Sequence, residues 1–135
     1  MRLFPVVLQV ASEVQCLKGR QKVSLLSKHA RQALRLSADR TGVALHELLK
    51  DQDDIPLPSG SYHWSVSHKT KYVAAVVSTD RTGIDIEEIK PRSQSIFSYV
   101  AGEDEWRLCG GKSWDSLYRY WTAKEAVVKA AGPGL

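Results

Sequence analysis

Two short segments restrict most strongly how this chain can fold. Each mixes apolar and charged residues at a spacing that fixes which side chains share a face. The first is Gly83-Ile84-Asp85-Ile86-Glu87, and the second is Trp121-Thr122-Ala123-Lys124-Glu125-Ala126-Val127-Val128-Lys129. Side chains two apart in a strand lie on the same face. A strand at 82–87 would therefore present Asp85 and Glu87 together and turn Ile84 and Ile86 into the core.

The second segment has the pattern of a helix, in which Glu125 and Lys129 are four residues apart and share a face. Three ordinary explanations stay open for these elements taken singly. Glu125 and Lys129 suit a surface ion pair worth about 0.2–0.5 kcal/mol. Thr122 and Glu125 also have the spacing of a capping box. Asp85 and Glu87 could form a solvated strand face.

Considered together, the two segments indicate a site for a divalent cation beside a pyrophosphate. Carboxylates such as Asp85, Glu87 and Glu125 repel by about 4 kcal/mol per close pair at an effective dielectric near 20, and a bound cation removes that penalty. Hard oxygen ligands suit Mg²⁺, and the ammonium groups of Lys124 and Lys129 suit phosphate oxygens.

The remaining elements predict an α+β fold. Leu3–Val10 has the composition of a first strand, and 24–40 has the periodicity of an amphipathic helix with a basic face that includes Lys28, Arg31 and Arg35. Strands are expected at 62–68, 72–77 and 82–87, forming an antiparallel meander. Shorter helical segments follow Pro91, and a long helix is expected at 113–131.

Composition narrows the class of protein without choosing its ligand. The chain has 135 residues, 43% hydrophobic and 25% charged, which suits one ordinary globular domain. Its net charge of +4 should attract anions, whether nucleic acid, phosphorylated ligands or an acidic protein. Cys16 and Cys109 stand alone, which predicts two reduced thiols. The N-terminal apolar run is too short for a signal peptide or a membrane span, so a cytoplasmic location and no membrane partner are expected.

In these motifs the chain resembles the 4'-phosphopantetheinyl transferases, particularly the surfactin-synthetase-activating type. The family signature is a Gly-Ile-Asp-Ile/Val-Glu strand and, roughly forty residues later, Trp/Phe-Ser/Thr-x-Lys-Glu-Ala/Ser-x-x-Lys, matched here at 83–87 and 121–129. A Ser-His pair before the first signature is matched by Ser67 and His68. The resemblance covers about residues 24–135.

The resemblance implies a holo-[acyl-carrier-protein] synthase activity. The phosphopantetheine arm of coenzyme A would pass to a serine of an apo acyl or peptidyl carrier protein, with release of adenosine 3',5'-bisphosphate and dependence on Mg²⁺. Glu125, Lys129 and His68 would be catalytic. The implied ligands of the metal are Asp85, Glu87 and Glu125, and the implied contacts of coenzyme A are Ser67, His68, Lys124, Lys129, Lys28 and Arg31.

The chain also departs from the family pattern. Members have two pseudo-symmetric α/β halves with antiparallel strands, expected here at 1–80 and 81–135, and continue into further strands where this sequence reads Gly132-Pro133-Gly134-Leu135. The second half is therefore expected to be truncated, with self-association through the incomplete sheet. Relatives also commonly have a basic residue where Ile55 stands, and Lys50 or Lys69 is a candidate substitute.

Two alternatives to an active transferase remain. One is a weakly active or inactive paralogue that binds coenzyme A or a carrier protein, suggested by the absence of the further strands. The other is a basic nucleic-acid-binding module that uses Tyr62, Trp64 and Tyr72 as a stacking platform. The second is disfavoured because it leaves the carboxylates unexplained, so no nucleic-acid partner is expected.

Overall fold

The computed structural model describes residues 1–132 and has the predicted α+β composition. Its elements in chain order are β1 (Val6–Gln9), α1 (Ser12–Gln15), α2 (Gly19–Thr41), β2 (His63–His68), β3 (Tyr72–Ser78), α3 (Ile96–Val100), α4 (Glu103–Leu108) and α5 (Trp114–Ala131). The long helices at 24–40 and 113–131 were both predicted, although α2 begins five residues earlier. No helix within residues 1–132 has the length and apolar character needed to cross a membrane.

The sheet has three antiparallel strands in the order β1-β3-β2. The predicted hairpin of β2 and β3 is confirmed, with Val66 opposite Ala75. The prediction for the third strand is wrong, because β1 pairs with the other side of β3 and residues 82–87 form no strand. The central strand β3 is also the most apolar, and residues 73–78 are all buried.

Helix α2 covers one face of the sheet. Its residues Leu26, Ala30, Ala33 and Leu34 are buried against apolar side chains of the three strands, which are Val6, Trp64, Val73, Ala75 and Val77. Gly42 ends the helix in the left-handed conformation at φ 79°, and its amide donates to the carbonyl of Ala38. Trp64 is only 3% exposed. The stacking platform proposed for nucleic acid is therefore wrong.

A second apolar cluster joins the helices of the C-terminal part. Phe97, Trp106, Leu117 and Tyr118 are buried together, with the Phe97 and Trp106 rings 5.4 Å apart in an edge-to-face arrangement. Helix α5 begins after Ser113, whose hydroxyl accepts from the amide of Ser116. The capping-box explanation is thus wrong, since the Thr122 hydroxyl lies inside the helix and donates to the carbonyl of Tyr118.

On the opposite face of the sheet, residues 82–87 lie against β2 and hydrogen-bond to its side chains, and Lys129 of α5 reaches the same strand. Ser65 and Ser67 alternate with Trp64 and Val66 along β2, so their hydroxyls point away from α2.

Residues 133–135 lie outside the described part of the chain. The pseudo-twofold halves, the boundary at residue 80, the incomplete second half and self-association stay predictions.

Gly83 allows a close approach between residues 82–87 and α5. A Cβ atom at position 83 would overlap the carbonyl oxygen of Ala126 and lie 2.8 Å from the amide nitrogen of Ala130. Both are backbone atoms, so they can move aside only if the helix moves.

We expect Gly83→Ala to lower the free energy of unfolding by at least about 2 kcal/mol, because the helix must shift away from the segment. Urea denaturation followed by circular dichroism measures the change. Gly102→Ala is the matched control, since its nearest atom is a flexible Glu105 oxygen 3.9 Å away and its expected cost is about 1 kcal/mol or less. Equal losses in the two variants would contradict the close-packing explanation.

Candidate functional site

An open cleft of about 920 Å³ lies beside strand β2. Its walls are β2, the loop at 50–58 that precedes it, and the last turns of α5. The charged and titratable side chains that line the cleft are Lys50, Asp54, His63, His68, Lys69, Arg81, Asp85 and Lys129. Four lysine or arginine side chains thus face two carboxylates, which makes the cleft suited to anions.

Residues 81–92 run antiparallel to α5 and supply one end of the cleft. The Arg81 guanidinium donates to the carbonyl of Ala131 at 3.2 Å, and the Tyr118 hydroxyl donates to the carbonyl of Lys90 at 2.9 Å. Strand β2 holds the other side of this segment through side chains. The amides of Ile84 and Ile86 donate to the hydroxyls of Ser65 and Ser67 at 3.1 and 3.2 Å.

Asp85 lies where the segment, β2 and α5 meet. Its side chain is 8% exposed, and its Oδ1 accepts from the Ser67 hydroxyl at 3.2 Å and lies 3.4 Å from the Lys129 ammonium. Its Oδ2 is buried and has no hydrogen-bond partner among the described residues. A buried carboxylate oxygen without a partner is costly, so this oxygen favours a cation or a proton donor.

Lys129 links three parts of the structure. Its ammonium donates to the carbonyl of Ile84 at 2.8 Å and also lies 3.4 Å from the carbonyl of Val66. Together with the contact to Asp85, these bonds direct the lysine toward β2. The ammonium contacts Asp85 rather than Glu125, so the predicted surface ion pair of α5 is absent from the described residues.

Glu87 is also more buried than the sequence suggested. Its side chain is 7% exposed and forms an ion pair with Lys69 at 3.2 Å. The expectation that Ile84 and Ile86 would enter the core while the carboxylates faced outward is wrong, since both isoleucines are only half-buried. The physical reason is that both carboxylates have polar or cationic partners on the side facing β2 and its hairpin. These partners offset the cost of burying the carboxylates.

Glu125 is exposed on α5, one turn before Lys129. Within residues 1–132 no three His, Cys, Asp or Glu side chains are close enough together to hold a metal ion. The neighbouring Lys124 lies outside the cleft, because its ammonium donates to the carbonyl of Val100 at 2.8 Å and pairs with Glu105 at 2.8 Å. Lys124 therefore joins α5 to the region around α4.

His68 is half-buried at the end of β2. Burial lowers the pKa of His68 below its ordinary value of 6.5, and the charges of Lys50, Lys129 and Lys69 lower it further, against a smaller opposing effect of Asp54. The neutral imidazole is therefore favoured beside three ammonium groups. A bound anion would reduce that electrostatic penalty on the charged ring.

Two residues proposed from the basic helix face do not line this cleft. Lys28 borders a second cavity of about 460 Å³ between α2 and the end of β1. Arg31 donates to the carbonyl of Leu48 at 2.9 Å, and its guanidinium lies 5.8 Å from the centre of the Trp64 ring. Lys50 and Lys69, the candidate substitutes for the basic residue that relatives have at the position of Ile55, both line the cleft beside β2. Arg81 was missed, because nothing in its sequence context distinguishes it from a turn residue.

The antiparallel α+β fold and the cationic cleft bordered by buried carboxylates define a small protein suited to a phosphate-bearing ligand. Residues 81–135 match the family model of the 4'-phosphopantetheinyl transferase superfamily. The resemblance inferred from the motifs at 83–87 and 121–129 is thereby confirmed.

Curated relatives carry the same family name. A 4'-phosphopantetheinyl transferase of Bacillus subtilis is 32% identical over 77 residues, covering 54% of this chain and 34% of that protein. A 4'-phosphopantetheinyl transferase of Aneurinibacillus migulanus is 29% identical over 90 residues, covering 64% of this chain and 38% of that protein. One of Bacillus pumilus is 33% identical over 79 residues. The matches thus span little more than a third of these relatives' length.

We expect NMR titration of the His68 ring to give a pKa below 6.5. Because the folded-state pKa is lowered, the contribution of His68 to stability is complete above pH 6.5. It is lost as the pH falls from 6.5 through the folded-state pKa, since the unfolded chain binds the proton first.

Lys50→Met should raise this pKa, because it removes the nearby charge with the largest effect on His68. Lys28→Met is the matched control, since Lys28 borders the other cavity, and it should leave the His68 pKa unchanged. A His68 pKa at or above 6.5, or equal shifts in the two variants, would contradict this description of the cleft.

Proposed function

We propose that the cleft binds coenzyme A and that the protein transfers the 4'-phosphopantetheine arm to a serine of an apo acyl or peptidyl carrier protein. The observation that carries the proposal is the meeting of His68, Lys69 and Lys129 with the buried Asp85 along one wall. Ammonium groups there suit a pyrophosphate, and the family of the relatives suggests which pyrophosphate is bound.

The transfer forms a bond between the serine oxygen and the phosphorus that carries the pantetheine arm. The bond between that phosphorus and the oxygen of the leaving adenosine 3',5'-bisphosphate breaks. We assign the serine proton to Glu125, which is exposed and therefore accessible to a docked carrier protein. Lys129 and His68 lie on the wall of the cleft, where they would stabilise the charge of the pyrophosphate.

Asp85, Glu87 and Glu125 are the proposed ligands of Mg²⁺. Their chemistry fits this ion, because Mg²⁺ prefers carboxylate oxygens and Asp85 has a buried oxygen that finds no partner within residues 1–132. Asp85 and Glu87 are two residues apart in an extended segment, and α5 brings Glu125 to the same side as Lys129. When bound, Mg²⁺ would neutralise charge on the pyrophosphate and orient it.

The phosphate contacts that the cleft favours are Ser67, His68, Lys50, Lys69, Arg81 and Lys129, all of which line it. Lys28, Arg31 and Lys124 have other neighbours, so we do not include them. The positive charge of the chain would attract an acidic carrier protein and increase the rate of encounter.

A second candidate is binding of coenzyme A or a carrier protein without efficient transfer. One observation favours it. Glu125 is not gathered with the other two carboxylates into a metal-binding group within residues 1–132. If a bound ligand cannot bring the three together, the cleft would bind the pyrophosphate and the transfer would be slow.

We expect incubation of the protein with coenzyme A, Mg²⁺ and an apo carrier protein to add phosphopantetheine to the carrier, detected by intact-protein mass spectrometry. Asp85→Asn should lower the rate at least roughly a hundredfold, because it removes a charged metal ligand. Glu88→Gln is the matched control. Glu88 follows Glu87 directly but is exposed and paired with Lys71, so its rate should be unchanged.

Coenzyme A binding should be measured in parallel by isothermal titration calorimetry. Binding without an adduct on several different carriers would favour the second candidate. Failure of both binding and transfer would contradict the proposed function. Full activity of a folded Asp85→Asn variant would refute the metal assignment alone.

A further inference from the structure

The ion pair of Lys69 with Glu87 joins two side chains with very different surroundings. Glu87 is 7% exposed, whereas Lys69 is 44% exposed and lines the cleft beside His68. The carboxylate is therefore fixed inside the protein, while the ammonium reaches it from the solvent side. Such a lysine can leave its partner without moving the backbone.

An ammonium group and a divalent cation cannot both occupy the position 3.2 Å from the same Glu87 oxygen. We propose that Lys69 is a built-in competitor of the divalent metal ion, so that metal binding at Glu87 requires Lys69 to move away. This inference rests on the proposed role of Glu87 as a metal ligand. The displaced ammonium remains at the cleft wall, where it faces the space assigned to the pyrophosphate.

Lys129 does not have the same role at Asp85. Its shortest bond, 2.8 Å, is to the carbonyl of Ile84, and its ammonium is 3.4 Å from Asp85. Loss of the contact with Asp85 would leave that anchor intact. The Oδ2 of Asp85 also accepts no hydrogen bond from the described part of the chain. The competition is therefore specific to Lys69 and Glu87.

The neighbouring ion pair of Lys71 with Glu88 gives a matched comparison. The Lys71 ammonium lies 3.6 Å from a Glu88 carboxylate oxygen, and both side chains are about half exposed. Lys71 is two residues after Lys69, and Glu88 is one residue after Glu87, so the two ion pairs carry the same charges at neighbouring positions. Lys71→Met and Lys69→Met change the net charge equally. Only the second removes an ammonium from a proposed metal ligand.

The experiment measures Mn²⁺ binding to the full chain by electron paramagnetic resonance at fixed pH and ionic strength, without coenzyme A. Lys69→Met should bind Mn²⁺ about threefold to tenfold more tightly than the unaltered protein, the effect of removing a partly exposed competing charge. Lys71→Met should change the affinity less than about twofold. Lys69→Arg keeps the positive charge and should bind Mn²⁺ as weakly as the unaltered protein.

Thermal unfolding of each variant establishes that it is folded before binding is compared. Equal tightening in Lys69→Met and Lys71→Met would overturn the inference, because net charge would then explain it. Unchanged affinity in Lys69→Met would overturn it while leaving the metal site intact, provided that Asp85→Asn abolishes Mn²⁺ binding. Absence of Mn²⁺ binding in every variant would overturn both this inference and the metal assignment.

Discussion

The close contact between Gly83 and the backbone of α5 determines how the rest of the site is assembled. Without a Cβ atom at position 83, the helix can lie against the extended segment at Ala126 and Ala130. This contact sets the distance between α5 and the 82–87 segment, and Lys129 is consequently within reach of both Ile84 and the carbonyl of Val66 in β2. A glycine in an extended segment often marks such an approach of two backbones.

The two serines of β2 solve the hydrogen-bonding problem that this packing creates. The 82–87 segment does not pair with the sheet as a strand, so its amides need other acceptors. The hydroxyls of Ser65 and Ser67 accept from Ile84 and Ile86, and Ser67 also donates to Asp85. One small side chain thereby fixes a backbone amide and orients a buried carboxylate.

Several elements could be predicted from the sequence because local pattern and packing agree. The apolar composition of 72–77 and the periodicity of 24–40 correspond to the central strand and the helix packed on it. The pairing of the 82–87 segment could not be predicted in this way. Alternation of apolar and polar residues indicates that a chain is extended but does not indicate what it pairs with. The serines that hold it come from another strand, and no local pattern links them to it.

Charged side chains were harder to place than apolar ones. Arg31 shares a basic helix face with residues that point to solvent, yet it lies over Trp64 and bonds to the carbonyl of Leu48. Lys124 belongs to the motif at 121–129 in α5, but its ammonium pairs with Glu105 in α4. Long side chains reach several possible partners, so their positions depend on tertiary contacts that the periodicity of one element does not contain.

The charge balance of the site follows from burying carboxylates next to a cationic cleft. Asp85 and Glu87 are nearly enclosed, and each is beside a lysine that also borders the cleft. The cost of burying a carboxylate is lowered by such a partner, but the partner is then less available to an external anion. A ligand that brings its own cation together with its anion removes this conflict, because the cation can serve the carboxylate while the lysine turns to the anion. A metal-bound pyrophosphate has this composition, whereas a bare phosphate would have to compete with Asp85 and Glu87 for the same ammonium groups.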